Sequence, residues 1–284
     1  MASEVIGVLG AGTMGTGITQ LAAQNGFDIV VRDVEKELVQ TGLDRLEDDL
    51  AEAEDRDIVD DADAVFDRVT GTTDLNDVTD RATVVIEAAP ENMDLKQSIF
   101  EELDGKTDPD VILGSNTSSL SITEIASVTD HPERVVGTHF FNPPVKMKLV
   151  ELITGHHTSN ETLGRVKDLA ADMGRESIVV DDFPGFATSR LGLVLGMEAA
   201  RMVQEGVASA EDIDTAMELG YNHPMGPLKL GDYNGWDTRV KVGEYMAEEF
   251  GSDVYRPPQI VKQMVRAGDY GVKSGRGFYD WDEE

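Results

Sequence analysis

The chain has 284 residues, with 24 Lys and Arg against 55 Asp and Glu, a formal net charge of −31, and 40% apolar residues. That length holds one large domain or two smaller ones, and the apolar share can fill a sizeable core. The charge excludes nucleic acid and an anionic membrane surface as default partners, because both demand the opposite sign.

Val5–Leu9 is a short apolar run that ends in glycines and reads as a buried strand. Residues 14–24 carry helical spacing, and Asp28–Arg32 (DIVVR) reads as a second strand. A strand–helix–strand unit of this length is the signature of a parallel α/β sheet. Residues 35–56 are predicted helical, with Val39, Leu43, Leu46, Leu50 and Ala53 forming a narrow apolar stripe on an acidic helix. Strands are predicted at 82–90, 111–119, 134–141, 148–154 and 176–182. Thr158, three residues before Glu161, makes a capping box for a helix between the last two. After Pro184 the pattern turns helical, over 186–205, 210–219, 237–249 and 259–267, with Ser209 and Asp212 as a looser capping box.

The first strand–helix turn reads GAGTMG, with Gly10, Gly12 and Gly15. This is G-x-G-x-x-G in its required place, after a strand and opening a helix. Gly10 permits the tight turn, Gly12 lets the backbone approach a pyrophosphate, and Gly15 lets the helix pack close to the strand. Thr13 and Met14 stand at the helix N-terminus, whose N–H groups and dipole favour phosphate. Asp33 follows the second strand, 23 residues after Gly10. An acid there accepts from ribose hydroxyls and repels a 2′-phosphate, which favours NAD over NADP, although Arg32 is adjacent. The expected architecture is therefore α/β. A Rossmann-type, doubly wound domain binds NAD over residues 1–183, and an all-helical C-terminal domain covers 184–284.

In GTHFFNPPVKMKLVE, His139 and Glu151 are equidistant from Val145, which sits between two strand-like runs. If those strands pair as a hairpin about that loop, the two residues lie opposite each other on one face. A histidine suits proton transfer near neutral pH, and a carboxylate beside it fixes its tautomer. The alternative is a satisfied core histidine and a strand-edge glutamate. His156 and His157 read as loop residues, and His223 as part of a structural turn. No spacing of His, Asp and Glu fits a zinc or calcium site, so no metal is expected. Ser118 lacks the G-x-S-x-G elbow of a nucleophile.

Several stretches together resemble the 3-hydroxyacyl-CoA dehydrogenases: GAGTMGTGI, VIEAAPENMDLKQSIFEELD, SNTSSLSI, GTHFFNPPVKMKLVE, PGFATSRL, NHPMGPLKLGDYNGWD and GVKSGRGFYDW. Their order and spacing agree across nearly the whole chain. The resemblance implies an NAD-dependent enzyme acting on an acyl-CoA substrate, without a fused hydratase domain, whose C-terminal helical domain forms a homodimer. It gives His139 the place of the catalytic base and Glu151 that of its partner. Ser118 then contacts substrate and nicotinamide, and Asn116 and Asn142 line the same pocket. Glu91 and Lys96 occupy the family's cofactor-contacting positions in E-N-x-x-x-K. A common form of the second-domain motif is PGF-x-x-N-R. This chain has Ser189 where that form has a catalytic asparagine, so a hydroxyl replaces an amide. Two other readings stay open: a related dehydrogenase of a non-CoA hydroxy acid, such as a sugar acid or carnitine, and a non-catalytic NAD-binding protein on the same fold.

The acids are spread along the whole chain, as expected of a folded protein from a salt-loving organism. At about 1 M salt the Debye length is only ~3 Å, so self-repulsion is screened. The chain has no cysteine, no secretory leader pattern and no run of eighteen apolar residues. These features predict a soluble, cytoplasmic protein.

Overall fold

The structure, a computed structural model, describes residues 4–282. It forms two compact units, one ending at Phe183 and the other beginning at Pro184.

The first unit is built on one eight-stranded sheet. Its strands are β1 (Val5–Leu9), β2 (Asp28–Arg32), β3 (Val69–Thr72), β4 (Val84–Glu87), β5 (Ile112–Ser115), β6 (Val135–Phe140), β7 (Leu149–Thr154) and β8 (Glu176–Asp181). The spatial order is β3-β2-β1-β4-β5-β6-β7-β8. Every neighbouring pair is parallel except β6–β7. Parallel strands need crossovers, supplied here by α1 (Thr13–Gln24), α2 (Lys36–Asp55), α3 (Ala62–Phe66), α4 (Leu75–Thr79), α5 (Met93–Lys106), α6 (Ile122–Ala126) and α7 (Asn160–Asp172). The central strands β4 and β5 are buried at every residue, which is why they read as continuous runs rather than alternations. Ile6, Val8, Ile18, Leu21, Ile29 and Ile86 anchor the core between sheet and helices.

One sequence expectation, the cap of α7, is corrected here, and two features, β3 and the role of Gly42, add to it. β3 was not expected. Its sequence, VTGT, is short and polar, and it is only partly buried at the sheet edge. Gly71 serves it, because a Cβ there would come within 2.7 Å of Leu43 and Val39 on α2. The α2 stripe includes Gly42, which hydrophobic periodicity does not count: a Cβ there would meet Ala11 at 2.8 Å. This glycine lets α2 close on the glycine turn. The cap of α7 is Ser159, not Thr158: the Ser159 hydroxyl accepts from Thr162 N, while Thr158 Oγ1 donates to Val135 O at 2.6 Å.

The second unit holds α8 (Thr188–Gln204), α9 (Ala210–Tyr221), α10 (Pro227–Asn234), α11 (Trp236–Phe250) and α12 (Gln259–Ala267). Helix α8 starts two residues later than expected, because Gly185 and Phe186 adopt positive φ (75° and 50°). α10 was hidden by its proline and glycines. Pro227 opens it, where the missing N–H costs nothing, and a Cβ at Gly231 would collide with the Trp236 indole. The fully buried Asp232 accepts from Trp236 Nε1, Trp281 Nε1, Phe278 N and Tyr279 N at 2.6–3.0 Å. Three of these bonds hold the C-terminal segment onto α10, and the fourth ties α10 to the start of α11. Ser209 caps α9 through Asp212 N, as expected.

Replacing Ser159 by alanine should lower unfolding stability by about 1 kcal/mol, the usual worth of an N-cap hydroxyl. Urea titration reads this as a lower midpoint at constant slope, and an unchanged midpoint would show that the cap contributes nothing.

Candidate active site

The parallel register sets the level at which candidate residues leave the sheet. Leu9 pairs with Arg32 and with Glu87, Glu87 with Ser115, and Ser115 with Gly137. The residues just beyond this row, Asp33, Gly10, Asn116 and, two further, His139, therefore emerge along one edge. In open α/β sheets ligands bind outside the carboxyl ends of the strands, where the order reverses. Here that reversal lies between β1 and β4.

At the glycine turn, Gly10 has φ 106°, and a Cβ there would press on Ala88 O at 2.7 Å. At Gly15 a Cβ would fall 1.7 Å from Gly10 O. Gly12 differs: a Cβ there would meet nothing within 4 Å. Gly12 and Thr13 are exposed and Met14 half-buried, so the α1 N-terminus faces open space. Asp33 Oδ2 accepts from Ala11 N and Oδ1 from Val34 N, both at 2.7 Å, which fixes the carboxylate against the turn with acceptor capacity left for hydroxyls. Arg32 Nε donates to Thr73 O. An open cradle at a helix N-terminus, with a fixed acid beside it, fits a dinucleotide with free ribose hydroxyls.

β6 and β7 pair antiparallel with His139 directly opposite Glu151, as the symmetry about Val145 predicted. His139 Nδ1 lies 2.7 Å from Glu151 Oε2. Glu151 is 0% exposed and His139 8%. The Phe141 ring tilts against the imidazole at 4.5 Å. Asn116, just past β5, accepts from Phe140 N through Oδ1 at 3.0 Å, so its side chain holds the main chain next to His139.

Glu91 gathers the turn after β5. Its Oε1 accepts from Thr117 Oγ1 (2.7 Å), Ser118 N (3.0 Å), Ser118 Oγ (3.2 Å) and Ser119 Oγ (3.4 Å). Ser118 is half-buried on this turn. Lys96 is fully buried, with Nζ 2.6 and 2.8 Å from the two oxygens of Glu87. Glu87, also fully buried, was not singled out by sequence reading; a lone acid ending a strand carries no distinguishing pattern. Burial pushes its carboxyl above the ordinary value, while the Lys96 ammonium and hydrogen bonds from Lys96, Ser115 and Ala89 pull against that shift.

Asn142 is exposed after β6 and lines a cavity of about 260 Å³ with Pro143, Thr13, Arg45, Arg56 and Lys146 among its walls. Arg45 Nη1 donates to Thr13 Oγ1 at 3.1 Å. Asp49 and Glu52 share the wall, and Arg56 pairs with Glu52. This cavity too was missed, because its cations come from two distant segments. Ser189 belongs to the second unit, at the start of α8. Among the described residues no group of His, Cys, Asp and Glu could hold a metal ion.

The family model for the NAD-binding domain of 3-hydroxyacyl-CoA dehydrogenase matches residues 5–183, and that for its C-terminal domain matches 185–281. A probable 3-hydroxybutyryl-CoA dehydrogenase of Bacillus subtilis is 46% identical over 286 residues, covering 100% of this chain and 99% of that one. The crystal structure of M. tuberculosis FadB2 matches with a TM-score of 0.95 at 40% identity, over 99% of both chains. That of (S)-3-hydroxybutyryl-CoA dehydrogenase from Ralstonia eutropha matches with a TM-score of 0.94 at 41% identity, over 99% of this chain and 100% of that one. With both domain models matched in order and these identities spanning essentially the full length, the chain belongs to the 3-hydroxyacyl-CoA dehydrogenase family.

Proposed function

We propose that this protein interconverts an L-3-hydroxyacyl-CoA and the corresponding 3-oxoacyl-CoA, with His139 as the proton-transferring group. The observation that carries the reading is the buried 2.7 Å contact between His139 Nδ1 and Glu151 Oε2, at the strand edge that also bears the glycine turn. An ionised Glu151 can only accept, so Nδ1 carries the hydrogen and Nε2 is the nitrogen that exchanges a proton with the substrate oxygen. NAD, when bound, supplies the acceptor for the hydride leaving the carbinol carbon. His139 takes the hydroxyl proton in oxidation and returns it in reduction. Glu151 stabilises the imidazolium formed in between and holds the ring in place.

The remaining roles follow from chemistry and position. Gly10, Gly12, Thr13, Met14 and Gly15 hold the pyrophosphate, and Asp33 the adenosine ribose. Ser118, Asn116 and Asn142 line the reacting end, with Glu91 beside them to orient Ser118. Ser189 serves the substrate oxygen from the second unit through its single hydroxyl. Arg45, Arg56 and Lys146 offer a cationic wall to the phosphates of CoA, a rare feature in a chain of charge −31. That wall favours a CoA thioester over a free hydroxy acid. The protein acts as a cytoplasmic homodimer joined through its helical unit, where Leu191 and Leu195 stand exposed on α8. No helix among the described residues is long and apolar enough to cross a membrane. The acidic surface is an adaptation to molar salt.

NADH oxidation should proceed with acetoacetyl-CoA and not with free acetoacetate, and His139→Ala should lose at least ~10²-fold in kcat, the usual scale of a general acid–base. Glu151→Gln should lose a comparable factor, ~10²-fold, because the tautomer is no longer fixed. A folded, NAD-binding protein that reduces only the free acid would identify it as a dehydrogenase of a non-CoA hydroxy acid. Arg56→Glu should raise KM for the acyl-CoA about 5-fold, the worth of one exposed charge contact, with kcat unchanged. An unchanged KM would remove the cavity from the substrate site. Dissociation constants for NADH and acyl-CoA, measured on protein shown by circular dichroism to stay folded, should fall between about 0.1 and 2 M KCl as like-charge repulsion is screened. Constants independent of salt would contradict the electrostatic part of the reading.

A further inference from the structure

Beneath the site lies one buried ion pair, whose lysine holds the position that the resemblance gives to a cofactor contact but whose ammonium is wholly enclosed by protein. Glu87 ends β4, and Lys96 lies one turn into α5; both side chains are 0% exposed. All four acceptor positions of the carboxylate are engaged. Oε1 takes Lys96 Nζ (2.6 Å) and Ala89 N (2.6 Å), and Oε2 takes Lys96 Nζ (2.8 Å) and Ser115 Oγ (2.6 Å). The ammonium is also within 3.5 Å of Ala89 O and 3.4 Å of Asn116 O, and 3.8 Å from Glu91 Oε2.

Each of these partners lies on one of two segments. Ala89 and Glu91 belong to the loop after β4, while Ser115 and Asn116 are the end of β5 and the first residue beyond it. From there the connections run outward without a break. Glu91 holds Thr117, Ser118 and Ser119, and Asn116 Oδ1 holds Phe140 N, the amide next to His139. A buried ion pair is poor value as stability alone, because desolvation of both charges cancels much of their attraction and an apolar pair packs as well. What it does supply is direction: a fully satisfied carboxylate tolerates one geometry of its donors.

We propose that Glu87 and Lys96 form an internal strut that positions the turn 116–119 and, through Asn116, the main chain at His139. Glu87 is thus a positioning residue of the reaction, and Lys96 acts through it. The inference rests on the reading of His139 as the proton-transferring group.

The test replaces the pair without stranding a charge, as Glu87→Gln with Lys96→Met, and separately removes one donor by Ser115→Ala. Both are assayed for kcat and KM, and for hydrogen exchange at the Phe140 amide in the enzyme without ligands. In the double variant kcat should fall about 10-fold with KM for the acyl-CoA within about 2-fold, since a misplaced group loses rate before it loses binding. Phe140 exchange should quicken about 10-fold while the melting temperature holds, as local opening separates from global unfolding. Ser115→Ala should lose about 3-fold in kcat, the scale of one hydrogen bond. Wild-type kcat and wild-type Phe140 protection in either folded variant would overturn the strut. If the double variant does not fold, Ser115→Ala decides alone. An active His139→Ala would refute the reading of the site instead, and the exchange data would still judge the strut.

Discussion

Everything in the site depends on one register, the antiparallel pairing of β6 with β7 in an otherwise parallel sheet. Directly opposed residues in such a pair share a face at close range. Sliding β7 by one residue would turn Glu151 to the other face and leave His139 without its carboxylate. The hairpin loop is held from several sides. Pro144 packs so closely on α1 that a Cβ at Gly17 would come 2.7 Å from its ring, and Arg175 Nη2 donates to Val145 O at 3.0 Å. The dinucleotide-binding helix and the hairpin carrying His139 therefore share a contact. The distance from the glycine turn to His139 is set by backbone packing rather than by flexible side chains.

A second constraint is electrostatic. A chain of charge −31 must hold two polyanions. The fold offers backbone dipoles at the α1 N-terminus and a small patch of cations, and it encloses the Glu87–Lys96 ion pair at 0% exposure. The cationic wall itself contains Asp49 and Glu52, so its field is weak in dilute buffer. Screening reduces the long-range repulsion from the surface while leaving hydrogen bonds at the turn intact.

Much of this was legible in the sequence because it obeys short-range rules. The glycine turn, Asp33, and the equal spacing of His139 and Glu151 from Val145 each translate directly into geometry. What was not legible depends on partners distant in the chain. Gly42 matters only because Ala11 lies beneath it, and Gly231 only because Trp236 does. Thr158 scores as a cap by spacing, yet Val135 O claims its hydroxyl and Ser159 takes the role. Glu87 looked like any acid at the end of a strand until Lys96, nine residues on, turned inward to meet it.

The most direct measurement is a crystal structure of the protein with NAD and acetoacetyl-CoA, read for the position of the 3-oxygen. His139 Nε2 should lie within about 2.6–3.2 Å of that oxygen, with the Glu151 contact to Nδ1 retained. A 3-oxygen held by other groups, with His139 more than about 5 Å away and no bridging water, would contradict it.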